Sequence, residues 1–160
     1  MATAAQRTHL AASMRFLLAH ELQIHYAQVR PMRTIHLSEA EANTLLANGH
    51  GLTMDCSESV TVLCRWAGLH DPNGLGYDGS GFTGTLLAHL PHYTRPAVAG
   101  IGALVVFGPA PGDHVCMVLT PGEDPILFSH GSERGPLKLP LSVERRYQRP
   151  PVTFLSIAAL

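Results

Sequence analysis

Charge is scarce in this chain. Only 14% of its 160 residues are Asp, Glu, Lys or Arg, and the formal net charge is -1 with ten histidines counted as neutral. No stretch interleaves basic with aromatic residues, which argues against nucleic acid as a partner. Long apolar runs are also missing, and no window approaches the roughly 18 apolar residues that a membrane span requires. The N-terminal stretch "MATAAQRTHLAASMRFLLAHEL" is interrupted by Arg7, His9 and Arg15, so it lacks the unbroken apolar centre of a secretory signal. Synthesis in the cytoplasm without a signal peptide is the expectation. Cysteine is sparse and odd in number, at three, which excludes a disulfide framework. Cys56 and Cys64 on one helix would stand about 12 Å apart along its axis, too far to bridge. Reduced thiols follow.

Apolar residues are plentiful, at 46%, and a chain of this length can bury a real core. The pattern predicts a single domain over residues 1–160, with a helical part over 1–50 and a core over 51–160. Residues 4–22 repeat Leu10, Met14, Leu17 and Leu18 on one helical face. Pro31 then stops helix. Ser38 with Glu41 spells a capping box, and Gly49 a stop. A further helix opens at Cys56, carries Val60, Leu63, Cys64 and Ala67 on its core face, and ends at Gly68. The glycine-rich loop "LHDPNGLGYDGSGFTG" follows.

Within that loop Gly74, Gly76 and Gly79 form a G-x-G-x-x-G, but a helix precedes it where a dinucleotide fold needs a strand. Asp71 and Asn73 begin like a calcium loop, which then offers Leu75 and Phe82 where oxygen ligands belong. Beyond it, "IGALVVFG", "HVCMVL", "ILFSH" and "VTFLSI" read as strands separated by turns. Helices first and a strand meander afterwards predict an α+β fold, with N-terminal helices packed on a small antiparallel sheet.

Cys56 carries the most chemistry. A thiol in the first turn of a helix meets unpaired N–H groups and the positive end of the dipole, which favour thiolate and can hold an oxyanion. Cysteine is equally at home as a small core residue between helix and sheet. His114 opens the strand "HVCMVL", and alternation puts His114, Cys116 and Val118 on one face. If that face meets the Cys56 helix, His114 stands beside the thiol. Antiparallel pairing returns His130 towards His114, where a polar group could orient the base. Zinc held by Cys56, His114 and His130 would lack close-spaced ligand pairs, so neither metal nor cofactor is expected.

The stretch "DCSESV" resembles the "DCSGFV" signature of the NlpC-type cell-wall peptidases, and "GALVVF", "HVCMV" and "FSHG" follow that family's strand order. The likeness covers about residues 53–131, and the first fifty residues match loosely. It implies a papain-like fold with Cys56 as nucleophile at a helix N-terminus, His114 as base and His130 as the orienting third residue. It further implies substrate contacts from Tyr26, Asp55 and Ser57, with peptidoglycan stem peptides as substrate. "WAGLHDPNG" and "HVCMV" are also similar to peptidase domains of actinobacterial phages, which implies a lysin or tail-associated hydrolase acting on the cell wall. Glu58 and Ser59 stand where the family has glycine and an aromatic, and Tyr26 lies thirty residues before the cysteine. Alternatives are an amidase cutting the sugar–peptide link, a papain-like acyltransferase, and an inactive wall-binding or virion module.

Overall fold

The computed structural model describes residues 2–93, 99–133 and 135–158. Two capping boxes start the N-terminal helices. Thr3 accepts the Gln6 N–H while the Gln6 side chain takes the Thr3 N–H, opening α1 (Ala4–Ala19). Ser38 and Glu41 exchange the same pair of bonds at α2 (Glu39–Ala47). Such bonds satisfy donors that the helix ladder leaves open. α1 buries Leu10, Met14 and Leu17 and ends before the expected residue 22, giving way to a 3₁₀ turn at Glu21–Gln23.

Between the helices lies an element too short for hydrophobic periodicity to reveal. β1 (Ile24–Tyr26) pairs in parallel with β2 (Leu52–Met54), with Tyr26 opposite Met54. This pairing carries Tyr26 across the sequence gap to a position beside the residues that lead into Cys56.

α3 (Cys56–Trp66) begins at Asp55, whose side chain accepts the Glu58 N–H. One core face is the expectation; instead every residue from Cys56 to Cys64 is buried. Its polar side chains are satisfied internally, as burial demands. Ser59 donates to the Cys56 carbonyl, Thr61 to the Ser57 carbonyl, and Glu58 accepts the Thr34 N–H. In the following loop Asp71 accepts the N–H groups of Asn73, Leu75 and Tyr77. Its carboxylate organises backbone, which accounts for the calcium-like opening of that segment. The loop delivers the chain to α4 (Thr83–His89).

The main sheet is antiparallel throughout. It comprises β3 (His92–Tyr93), β4 (Leu104–Phe107), β5 (His114–Thr120), β6 (Ile126–Ser129), β7 (Leu137–Pro140) and β8 (Val152–Leu155), in the order β3-β8-β4-β5-β6-β7. The last strand therefore returns to lie between β3 and β4 rather than extending the meander. β3 and β7 are not legible from pattern. The short α5 (Leu141–Glu144) follows β7. Val115, Met117 and Leu119 of β5 pack with Leu104, Val106 and Phe128 against α1 and α3. Cys116 and Val118 point the other way, among Phe107, Leu127, Leu141 and Phe154. Both faces of β5 are buried, each large apolar side chain contributing about 1.5–3 kcal/mol. The fold is α+β, helices on an antiparallel sheet, with a two-stranded parallel sheet beside it. No described helix is long and apolar enough to cross a membrane.

Candidate active site

Asp55 builds the start of α3. One carboxylate oxygen accepts the Glu58 N–H at 2.7 Å and the Ser57 hydroxyl at 2.9 Å. The other meets Arg30 at 2.8 Å. The Arg30 guanidinium also donates to the Ser57 oxygen at 2.7 Å and to the Gly81 carbonyl at 2.8 Å. One planar cation thus ties the β1–α2 connection, the helix start and the glycine-rich loop together. Sequence pattern offers no signal for Arg30, because its partners Asp55, Ser57 and Gly81 lie 25 or more residues away.

Cys56, the first residue of α3, lines a cavity of about 370 Å3 with Gln28, Arg30, Asp55, Thr83 and Asp113. Burial is the largest influence on its thiol and pushes the pKa up. The Val115 and Ser57 N–H groups and the Thr83 hydroxyl oppose that shift, while Asp55 adds to it. The net rise corrects the expectation of a depressed thiol: desolvation of a nearly enclosed sulfur outweighs the helix start. Gly112 closes one wall in a left-handed conformation, φ 89°. A Cβ there would lie 2.6 Å from the Thr83 methyl carbon and 2.8 Å from Val106, so only glycine lets the turn before β5 approach α4 this closely.

Tyr26 joins this group. Burial and then the Cys56 charge raise its pKa, and Gln28 donates to its hydroxyl at 3.2 Å. Its ring stands edge-on to His130, with centroids 5.6 Å apart. His130 is 1% exposed; its Nε2 lies 3.4 Å from the His25 carbonyl, and its Nδ1 makes no hydrogen bond. Burial is the main reason its pKa falls below the usual histidine value.

His114 lies elsewhere. It shares a face with Cys116, as alternation requires, but that face meets α5 and not α3. Its Nε2 is 2.9 Å from the Ser129 hydroxyl and 3.5 Å from Glu144, and its ring stacks on Phe107. Burial drives its pKa down to about 4. The groups that chiefly set the thiol's charge include no imidazole. The structure therefore brings Cys56, Tyr26, Asp55 and Ser57 together, sets His130 against Tyr26, and takes the His114 imidazole through the sheet to the opposite side. Val115 packs in the cluster that holds Cys56, whereas the contacts of His114 are to Ser129, Glu144 and Phe107.

Known protein families, curated proteins and solved structures offer no match to this chain. Functional reading rests on the arrangement alone. A buried thiol under two backbone N–H groups, open to a polar cavity, can attack a carbonyl and hold the resulting oxyanion. Phe82 borders this cavity and also an apolar groove of about 790 Å3 that runs past Leu87 and Pro111. A larger cavity, about 850 Å3, lies at the other end of β5 near Leu119 and Leu137. Glu58, buried beneath the site, has its carboxyl pushed up to about 7 by burial, against the pull of the Thr34 N–H.

Proposed function

We propose that this chain is a thiol hydrolase of peptidoglycan stem peptides, a papain-like domain in the manner of the NlpC-type peptidases that "DCSESV" resembles. The observation that carries the reading is the Cys56 thiol at the head of α3, facing the Val115 and Ser57 N–H groups at the edge of a polar cavity. Cys56 is the nucleophile. His130, whose ring packs edge-on against Tyr26, is assigned as the base in this reading because its Nδ1 makes no hydrogen bond.

The thiol sulfur attacks the scissile carbonyl carbon as its proton passes to His130. N–H groups at the helix start hold the oxyanion. Collapse expels the amine, which takes the proton back from the imidazolium. Water then attacks the thioester, His130 again accepting a proton, and the acid leaves with Cys56 restored as thiol. Asp55 and Ser57 hold the helix start and, with Tyr26, border the substrate. The setting is the bacterial wall, as a phage lysin or virion-borne hydrolase.

Mass spectrometry of purified peptidoglycan, before and after treatment, tests this directly. Wild type releases peptide fragments with new amino termini, and Cys56→Ala releases none. Fragments of equal yield from both proteins, or none from either, overturn the proposal.

A further inference from the structure

On the sheet face away from Cys56, three buried ligand-type side chains from two elements converge. His114 and Cys116 project from β5, and Glu144 from α5. They are 6%, 0% and 2% exposed. The imidazole nitrogen, the sulfur and a carboxylate oxygen all lie within 4.8 Å of one another. We infer that His114, Cys116 and Glu144 form a zinc site.

Chemistry and geometry both carry this. Thiolate, imidazole and carboxylate together are a zinc donor set, and zinc takes them at about 2.0–2.3 Å in a tetrahedron. Those bond lengths place neighbouring donors about 3.5 Å apart. The His114–Glu144 separation is already 3.5 Å, and the remaining pairs, within 4.8 Å, need to close by about 1.3 Å at most. Ser129, whose hydroxyl is 2.9 Å from His114 Nε2, flanks the fourth position, which it or a water fills. Gln148 donates to Glu144 at 2.8 Å and orients that carboxylate, as outer partners of metal ligands do.

Without an ion these groups form a hydrogen-bonded polar cluster with Ser129 and Gln148 in an apolar layer, among Phe107, Val118, Leu127 and Leu141, where polar groups are costly to bury. A metal would bind all three groups at once and link β5 to α5 directly. It also fastens a four-residue helix, too short to hold itself, to the central strand. The role is structural, and zinc binding adds to folding.

The test reads metal, not turnover. The chain is unfolded in chelator, refolded with excess zinc or cobalt, and dialysed, and its metal is then measured by mass spectrometry. One zinc per chain is expected, and the cobalt form shows a thiolate-to-cobalt charge-transfer band. Cys116→Ser removes that band, Glu144→Gln weakens binding at least about tenfold, and Cys56→Ala loads fully. Wild type that retains no stoichiometric metal overturns the site, as does Cys116→Ser that retains as much as wild type. Should Cys116→Ser fail to fold, the wild-type stoichiometry and the cobalt band decide.

Discussion

Replacing Glu58 with Gln should stabilise the protein in mild alkali and not in acid. Glu58 is 1% exposed and accepts the Thr34 N–H at 2.7 Å. Burial pushes its carboxyl from 4.5 up to about 7. Between those values the folded chain keeps a proton that the unfolded chain has released. The group's contribution is therefore complete below about pH 4.5, falls as pH rises, and is fully lost above about pH 7. At about 1.4 kcal/mol per pH unit the ceiling is about 3.4 kcal/mol. Relaxation and water penetration around a carboxyl this near the Cys56 cavity reduce it to about 1–3 kcal/mol.

Gln keeps the shape and an oxygen that can accept from Thr34, and it carries no charge to desolvate. Urea unfolding followed by the fluorescence of Trp66, the single tryptophan, gives the stability of both proteins near pH 5 and near pH 8. The stability of Glu58→Gln minus that of wild type should rise by about 1–3 kcal/mol across this interval. Taking the difference cancels the histidines, which titrate alike in both. A difference that stays flat with pH refutes the argument, because the Glu58 carboxyl would then ionise in the fold as it does in the unfolded chain.

Three further outcomes follow from the same geometry. His130→Ala should abolish wall digestion, whereas His114→Ala should lower thermal stability yet keep turnover when assayed below its melting temperature; reversed effects would return the base to His114. Asp55→Ala loses the helix cap, worth about 1 kcal/mol, and strands Arg30 without its carboxylate. Together these cost about 2–4 kcal/mol and lower the melting temperature by about 5–12 °C; a shift under about 2 °C would show that the cap and ion pair do not hold the site. Cys56 should alkylate well before Cys64 and Cys116, whose full burial raises their pKa values. Its rate should climb beyond the free-thiol value of about 8.5, and a plateau below about pH 7 would instead mark a preformed thiolate–imidazolium pair.

What could be read from the residues was local. The capping box at Ser38 and Glu41 names its own helix because the two bonds span three residues. Asp55 before Cys56 marks a helix start for the same reason, and the central strands announce themselves through apolar composition. The face of β5 could not be read. "HVCMVL" is apolar at both phases of its alternation, because α1 and α3 cover one side while Leu141 and Phe154 cover the other. Alternation correctly groups His114 with Cys116, yet nothing along the chain says which layer that group enters. Register with β4 and β6 decided it, and with it which histidine shares the thiol's side. Tyr26 reached the site through a parallel pairing three residues long, and Arg30 through bonds to Asp55, Ser57 and Gly81. Short-range hydrogen bonding is encoded where it occurs, so sequence by itself determined the starts of α2 and α3 and the composition of the central strands. The choice of face and the joining of distant segments depend on how whole layers share buried area, and only the tertiary structure settled those.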